Sequence, residues 1–102
     1  MSSSTVPSVH FRTIPELSES KTPGAVCFRR QESRSLFTLW FLCPCGCGNL
    51  SRIVVGLHHK PELKGTPTWE WNGSTQKPTL KPSVNNPDHW HGWLTEGEWK
   101  SV

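Results

Sequence analysis

The segment LFTLWFL at residues 36–42 is almost continuously apolar, a pattern shared by a buried strand and a buried helical turn. Its length and aromatic content favour a strand over residues 35–42, preceded by a strand over 25–30 and a polar turn at 31–34. Residues 52–57 (RIVVGL) are β-branched and close a hairpin with 35–42, the turn falling in the Cys-Gly-Cys-Gly-Asn segment. Residues 58–67 are polar, hold two prolines and a glycine, and read as a loop. Thr68-Trp69-Glu70-Trp71 alternates, so both tryptophans share one face of a strand and Glu70 takes the other. Asn72-Gly73 reverses the chain and brings Leu80 across from the tryptophan face. Residues 79–84 are an edge or irregular strand, because Pro82 cannot donate to a ladder. Residues 91–102 form a last hairpin with Gly97 in its turn and with Trp93 and Trp99 paired across it.

Ahead of these strands, residues 1–10 lack any apolar period and are expected to be a flexible leader. Residues 11–23 place Phe11, Ile14 and Leu17 between prolines, an extended or one-turn segment docked on the core. The predicted architecture is therefore a mostly β, small stapled domain of two to three β-hairpins, spanning 11–102 behind that leader.

Composition explains why a staple is expected. In 102 residues only 22 are Leu, Ile, Val or Phe, close to the level at which a chain cannot fill a core. Six Trp offset this, whereas nine Pro, eight Gly and one Ala argue against a helical bundle. No apolar run approaches the about 20 residues of a membrane span, and the amino terminus does not read as a secretion signal. A cytoplasmic location and no membrane partner follow as expectations. The net charge of +3, from 11 basic and 8 acidic residues, permits nucleic-acid contact without requiring it.

The cysteines carry the chemistry. Cys43, Cys45 and Cys47 fall within five residues beside Pro44, Gly46 and Gly48, and only Cys27 lies elsewhere. Thiols packed this tightly cannot cross-link separate segments, whereas glycines let a backbone fold back around one metal ion. The second ligand-rich turn is Asp88-His89-Trp90-His91. A zinc ion held by Cys45, Cys47 and His91, with Cys43 or His89 as fourth ligand, would tie the middle hairpin to the last one. If His91 points inward to the metal, Trp90 points outward; Trp90 is then the most exposed tryptophan and, with Lys81, the expected contact for a partner. A platform of tryptophans interleaved with Lys77, Lys81 and Lys100 is the alternative, for single-stranded nucleic acid.

The segments CPCGCG (43–48), W-x-W-N-G (69–73), P-T-L-x-P-S (78–83) and H-G-W-L-x-x-G (91–97) together resemble a family of small proteins. Its members occur in bacteriophages, sometimes labelled ammonia monooxygenase, and in bacterial operons encoding ubiquitin-like proteins and their activating enzymes. The resemblance covers residues 11–100 and implies a zinc-binding, mostly β protein. His91 matches the family's histidine, while the cysteine preceding it has no counterpart, Asp88 or Trp90 standing near its place; Cys43, His89 or Asp88 then supplies the fourth ligand.

Three functions are expected in order: a zinc-stabilised binding or structural module with a protein partner, such as a phage or mobile-element accessory; a nucleic-acid-binding zinc ribbon; and a metallohydrolase. The last is disfavoured because a closed shell of thiolates is a poor Lewis acid, and because no H-x-E precedes Pro44-Cys45 as a zinc deaminase needs. No catalytic residue is assigned, and no nucleophile elbow is present.

Overall fold

The computed structural model describes residues 5–31, 36–86 and 89–102. The elements in chain order are β1 (Thr5–Pro7), β2 (Val9–His10), α1 (Ile14–Ser20), β3 (Ala25–Arg30), β4 (Leu36–Leu42), β5 (Leu50–Leu57), β6 (Thr68–Trp71), β7 (Leu80–Lys81), β8 (Val84–Asn86), β9 (Trp90–Thr95) and β10 (Glu98–Ser101). They build a six-stranded sheet, β2-β3-β4-β5-β6-β7, and a four-stranded sheet, β1-β10-β9-β8. The mostly β expectation holds, with more strands than three hairpins supply.

The core lies between the sheets. Val26, Leu39, Phe41, Val55, Trp71 and Leu80 from the larger sheet meet Val84, Leu94 and Trp99 from the smaller. Aromatic rings replace the scarce aliphatics. Phe28 stacks on Trp71 with centroids 4.1 Å apart, and Phe41 lies 5.0 Å from Trp99. Such pairs each add about 0.5–1.5 kcal/mol beyond area burial. A second cluster, Leu17, Ala25, Cys27 and Leu42, covers the other face of the large sheet beneath α1. Thr13 caps α1 by accepting from the Glu16 amide, and Pro15 sits in its first turn, where a missing amide costs nothing.

Several predicted elements fall where expected. β3, β4 and β5 are consecutive antiparallel strands, and the cysteine segment turns the chain between β4 and β5. Trp71 pairs with Leu80, and Trp69 and Trp71 both face the core.

Four expectations are corrected. Within the leader, Thr5–Pro7 pairs with β10 and Val9–His10 runs parallel to β3, so the sheets recruit backbone that lacks an apolar pattern of its own. Residues 11–23 contain a two-turn helix. Trp93 does not pair with Trp99. Glu96 (φ 47°) and Gly97 (φ 82°) form a two-residue turn with both central residues left-handed, which fixes Thr95 opposite Glu98. Trp99 then pairs with Leu94, and Trp93 with Lys100. A one-residue change of register exchanges the faces of a strand. Trp93 is 45% exposed, while Trp90 turns inward and meets Trp99 edge-on at 5.4 Å. The expectation that Trp90 is the most exposed tryptophan is reversed.

Candidate functional site

Two separate constellations emerge. The first is the β4–β5 turn. Cys43 ends the buried strand and is itself buried, whereas Cys45 and Cys47 are exposed. The Cys43 amide donates to the Asn49 carbonyl at 2.9 Å, closing the base of the turn, and the Gly46 amide returns to the Cys43 carbonyl at 3.1 Å. Gly46 (φ 89°) and Gly48 (φ 83°) take left-handed conformations that a side chain would strain. The three Sγ atoms consequently lie within 4.8 Å of one another, with Cys43 and Cys45 only 3.1 Å apart. Thiolates around one tetrahedral zinc at about 2.3 Å each stand roughly 3.8 Å from one another, so the triad could hold a metal ion after small side-chain rotations. Among the described residues no histidine or carboxylate joins it.

The predicted second knuckle is therefore not brought to the cysteines. His89 is exposed just before β9, and Asp88 lies outside the described residues. His91 stands on the outer face of the four-stranded sheet, in register with Asn85. The same hairpin register that turns Trp90 in turns His91 out. Cys27 is buried under α1; burial pushes its thiol above the ordinary value, with Arg29 opposing this and Glu16 adding to it. It is a small core residue, as its separation from the cluster suggests.

The second constellation centres on His91. Its Nε2 is 3.1 Å from the hydroxyl Oγ of Ser83. Ser83 occupies the point where the chain leaves β7 in one sheet and enters β8 in the other. Val84 is buried, so Ser83 and Asn85 face outward by strand alternation, on the side where β9 presents His91 and Trp93. The Ser83 carbonyl accepts a hydrogen bond from the Trp69 indole at 3.0 Å, pinning the crossing to β6. Exposed Lys81 precedes Ser83 by two residues and pairs with Glu70. A hydroxyl within hydrogen-bond reach of an imidazole is the minimal arrangement for nucleophilic acyl transfer.

Sequence reasoning missed Ser83. The residue pattern places Ser83 in an edge or irregular strand over 79–84 and His91 on a metal ion. The two are eight positions apart, and nothing in their spacing announces a pair. The available signal was their location in adjacent motifs joined by a short connection.

A small two-sheet β module with a serine–histidine pair on its surface and a three-cysteine turn elsewhere is what fold and site define. A family model described as bacterial ubiquitination-like system serine protease (BubE) matches residues 7–102, and the chain belongs to that family. No curated protein and no solved structure matches the chain. The family places the chain with bacterial ubiquitin-like conjugation, as the motif resemblance implied.

Proposed function

We propose that this protein is a serine peptidase of a bacterial ubiquitination-like system, with Ser83 as nucleophile and His91 as general base. The observation that carries the reading is the Ser83 Oγ to His91 Nε2 contact of 3.1 Å on an exposed sheet face. The family description supports it. Ser83 Oγ attacks the scissile carbonyl carbon while His91 takes the hydroxyl proton. Collapse of the tetrahedral adduct breaks the C–N bond, and His91 delivers the proton to the departing amine. Water then attacks the acyl ester, His91 takes its proton and returns it to Ser83 as the acid leaves. The substrates are polypeptides of the ubiquitin-like system, either precursors or conjugates. Exposed Lys81 and Trp93 flank the pair and supply contacts to them.

In this reading Cys43, Cys45 and Cys47 would hold a zinc ion, and its role would be structural. Their convergence in a glycine-shaped turn supports that assignment, and small core volume gives the metal a task. Bound zinc would fix the folded-back shape of the β4–β5 turn. His91 stands outside the cysteine cluster with its Nε2 beside Ser83, which leaves the imidazole available for proton transfer. The bacteriophage accessory role rests on motif resemblance alone, and the serine–histidine geometry favours the enzyme over a purely structural module.

Reaction with a fluorophosphonate probe tests the nucleophile. The expected result is a single adduct on Ser83, lost in Ser83→Ala and strongly slowed in His91→Gln. Labelling that persists in Ser83→Ala would overturn the assignment.

A further inference from the structure

A cleft of about 460 Å³ opens beside Trp69, the residue whose indole N–H holds the carbonyl of Ser83. Its walls include Trp40, Arg52, Ile53, Pro67 and Trp69. One indole thus forms part of the cleft and braces the backbone of the proposed nucleophile.

The cleft lies where two neighbouring strands end out of step. β5 begins at Leu50, but its pairing with β6 begins only at Val54 opposite Thr68. On the other side, Leu50 to Ile53 are all paired with β4. Among the described residues, the outer edge of this four-residue stretch has no strand partner. Such an edge presents unpaired amides and carbonyls in strand geometry, which an extended peptide can satisfy by adding a strand. An incoming strand there would run beside Thr66 and Pro67, the residues that lead into β6.

Charge narrows the occupant. Arg52 is the one charged residue among the described residues of the cleft, and its guanidinium carbon sits 5.4 Å from the centroid of the Trp40 ring. Stacking on an indole holds the group in place while leaving its N–H donors available. Among the described residues Arg52 makes no ion pair with a carboxylate. Pro67, Ile53 and the Trp69 ring offer apolar surface alongside.

We propose that this cleft is the docking groove for an extended segment of the polypeptide substrate, added as a strand along β5 at residues 50–53, with an acidic side chain meeting Arg52. The groove rests on the peptidase reading for its biological purpose, but its physical claim is separable: it binds extended acidic peptides whether or not Ser83 reacts.

The test uses the full chain carrying Ser83→Ala, so that no peptide is consumed. Dansyl-labelled decapeptides of apolar sequence with a central Asp, Ala or Lys are titrated at low salt, and amide hydrogen exchange is measured with and without the Asp peptide. The Asp peptide should bind about tenfold more tightly than the Lys peptide, and Arg52→Glu should invert that order. Amides within residues 50–53 should gain protection on binding. Binding that ignores charge, an order unchanged by Arg52→Glu, no measurable binding, or protection elsewhere would each overturn the groove. Arg52 is exposed, so a thermal midpoint equal to the parent's shows that the variant is folded. If active chain cleaves a substrate and Arg52→Glu leaves KM unchanged, the groove fails while the peptidase reading stands. If peptides bind as described and Ser83 reacts with neither probe nor substrate, the peptidase reading fails and the groove remains.

Discussion

The β4–β5 turn and the Ser83–His91 pair are built by opposite strategies. In the turn, all the chemistry is local. Six consecutive residues, Cys43 to Gly48, with Gly46 and Gly48 left-handed, converge three thiols with little help from the rest of the chain. The serine–histidine pair is assembled from the point where the chain crosses between sheets and from a strand beyond it, and a third element, β6, braces it through Trp69. A local site survives changes of register elsewhere. A site spread across strands depends on every turn that sets their alignment. The difference predicts that damage to the turn acts on stability, whereas damage to the pair acts on chemistry alone.

The largest expected effect belongs to the turn. Structural zinc in small domains contributes an apparent about 10–16 kcal/mol, comparable with or above a whole domain's stability. Cys45→Ser, or removal of metal by a chelator, should therefore unfold the chain or lower its thermal midpoint steeply. Calorimetry with and without chelator checks this, and elemental analysis should find one zinc per chain. A midpoint indifferent to chelation would erase the contrast between the two regions.

Next comes the pair. Ser83→Ala should lower the cleavage rate at least about a thousandfold, equivalent to about 4 kcal/mol of barrier, with the melting temperature nearly unchanged. Rate assays beside thermal melts separate the two readouts. Residual cleavage at the parent's rate would move the chemistry elsewhere.

The tryptophans sharpen the comparison from within. Trp71 is 5% exposed and stacked on Phe28, so Trp71→Ala should cost about 3–5 kcal/mol in denaturant titrations. Trp93, on the outer face, should cost no more than about 0.5 kcal/mol when changed to Ala, while raising KM if it touches substrate. Equal losses at the two positions would contradict the hairpin register that also turns His91 outward.

The smallest effect concerns thiol reactivity. In folded protein, Cys27 should react with a thiol reagent more slowly than Cys45 and Cys47, since it is buried and its thiol is pushed upward by desolvation. Mass mapping of partially modified chain checks the order. Early modification of Cys27 would mean that the α1 cover opens readily.

Much of this molecule was readable from its residues. Strand β6 follows directly from short-range alternation and the Asn72-Gly73 turn, and the convergence of Cys43, Cys45 and Cys47 follows from their spacing beside glycines. These are properties of a few neighbouring residues, where steric rules act without reference to the rest of the chain. Whether Trp90 or Trp93 faces the core was not of that kind. It turns on a single residue of register, set by a two-residue turn at Glu96-Gly97, and the period of a strand makes either choice equally regular until the turn type is known. The strands β1 and β2 form because sheet edges nearby satisfy their backbone, which no side-chain pattern records. The meeting of Ser83 with His91 required all of this at once: the crossing between sheets, the register of β8 on β9 and the brace from Trp69. Local physics wrote the cysteine turn into the sequence, and only the packing of two sheets decided that the histidine expected on a metal would stand beside a serine.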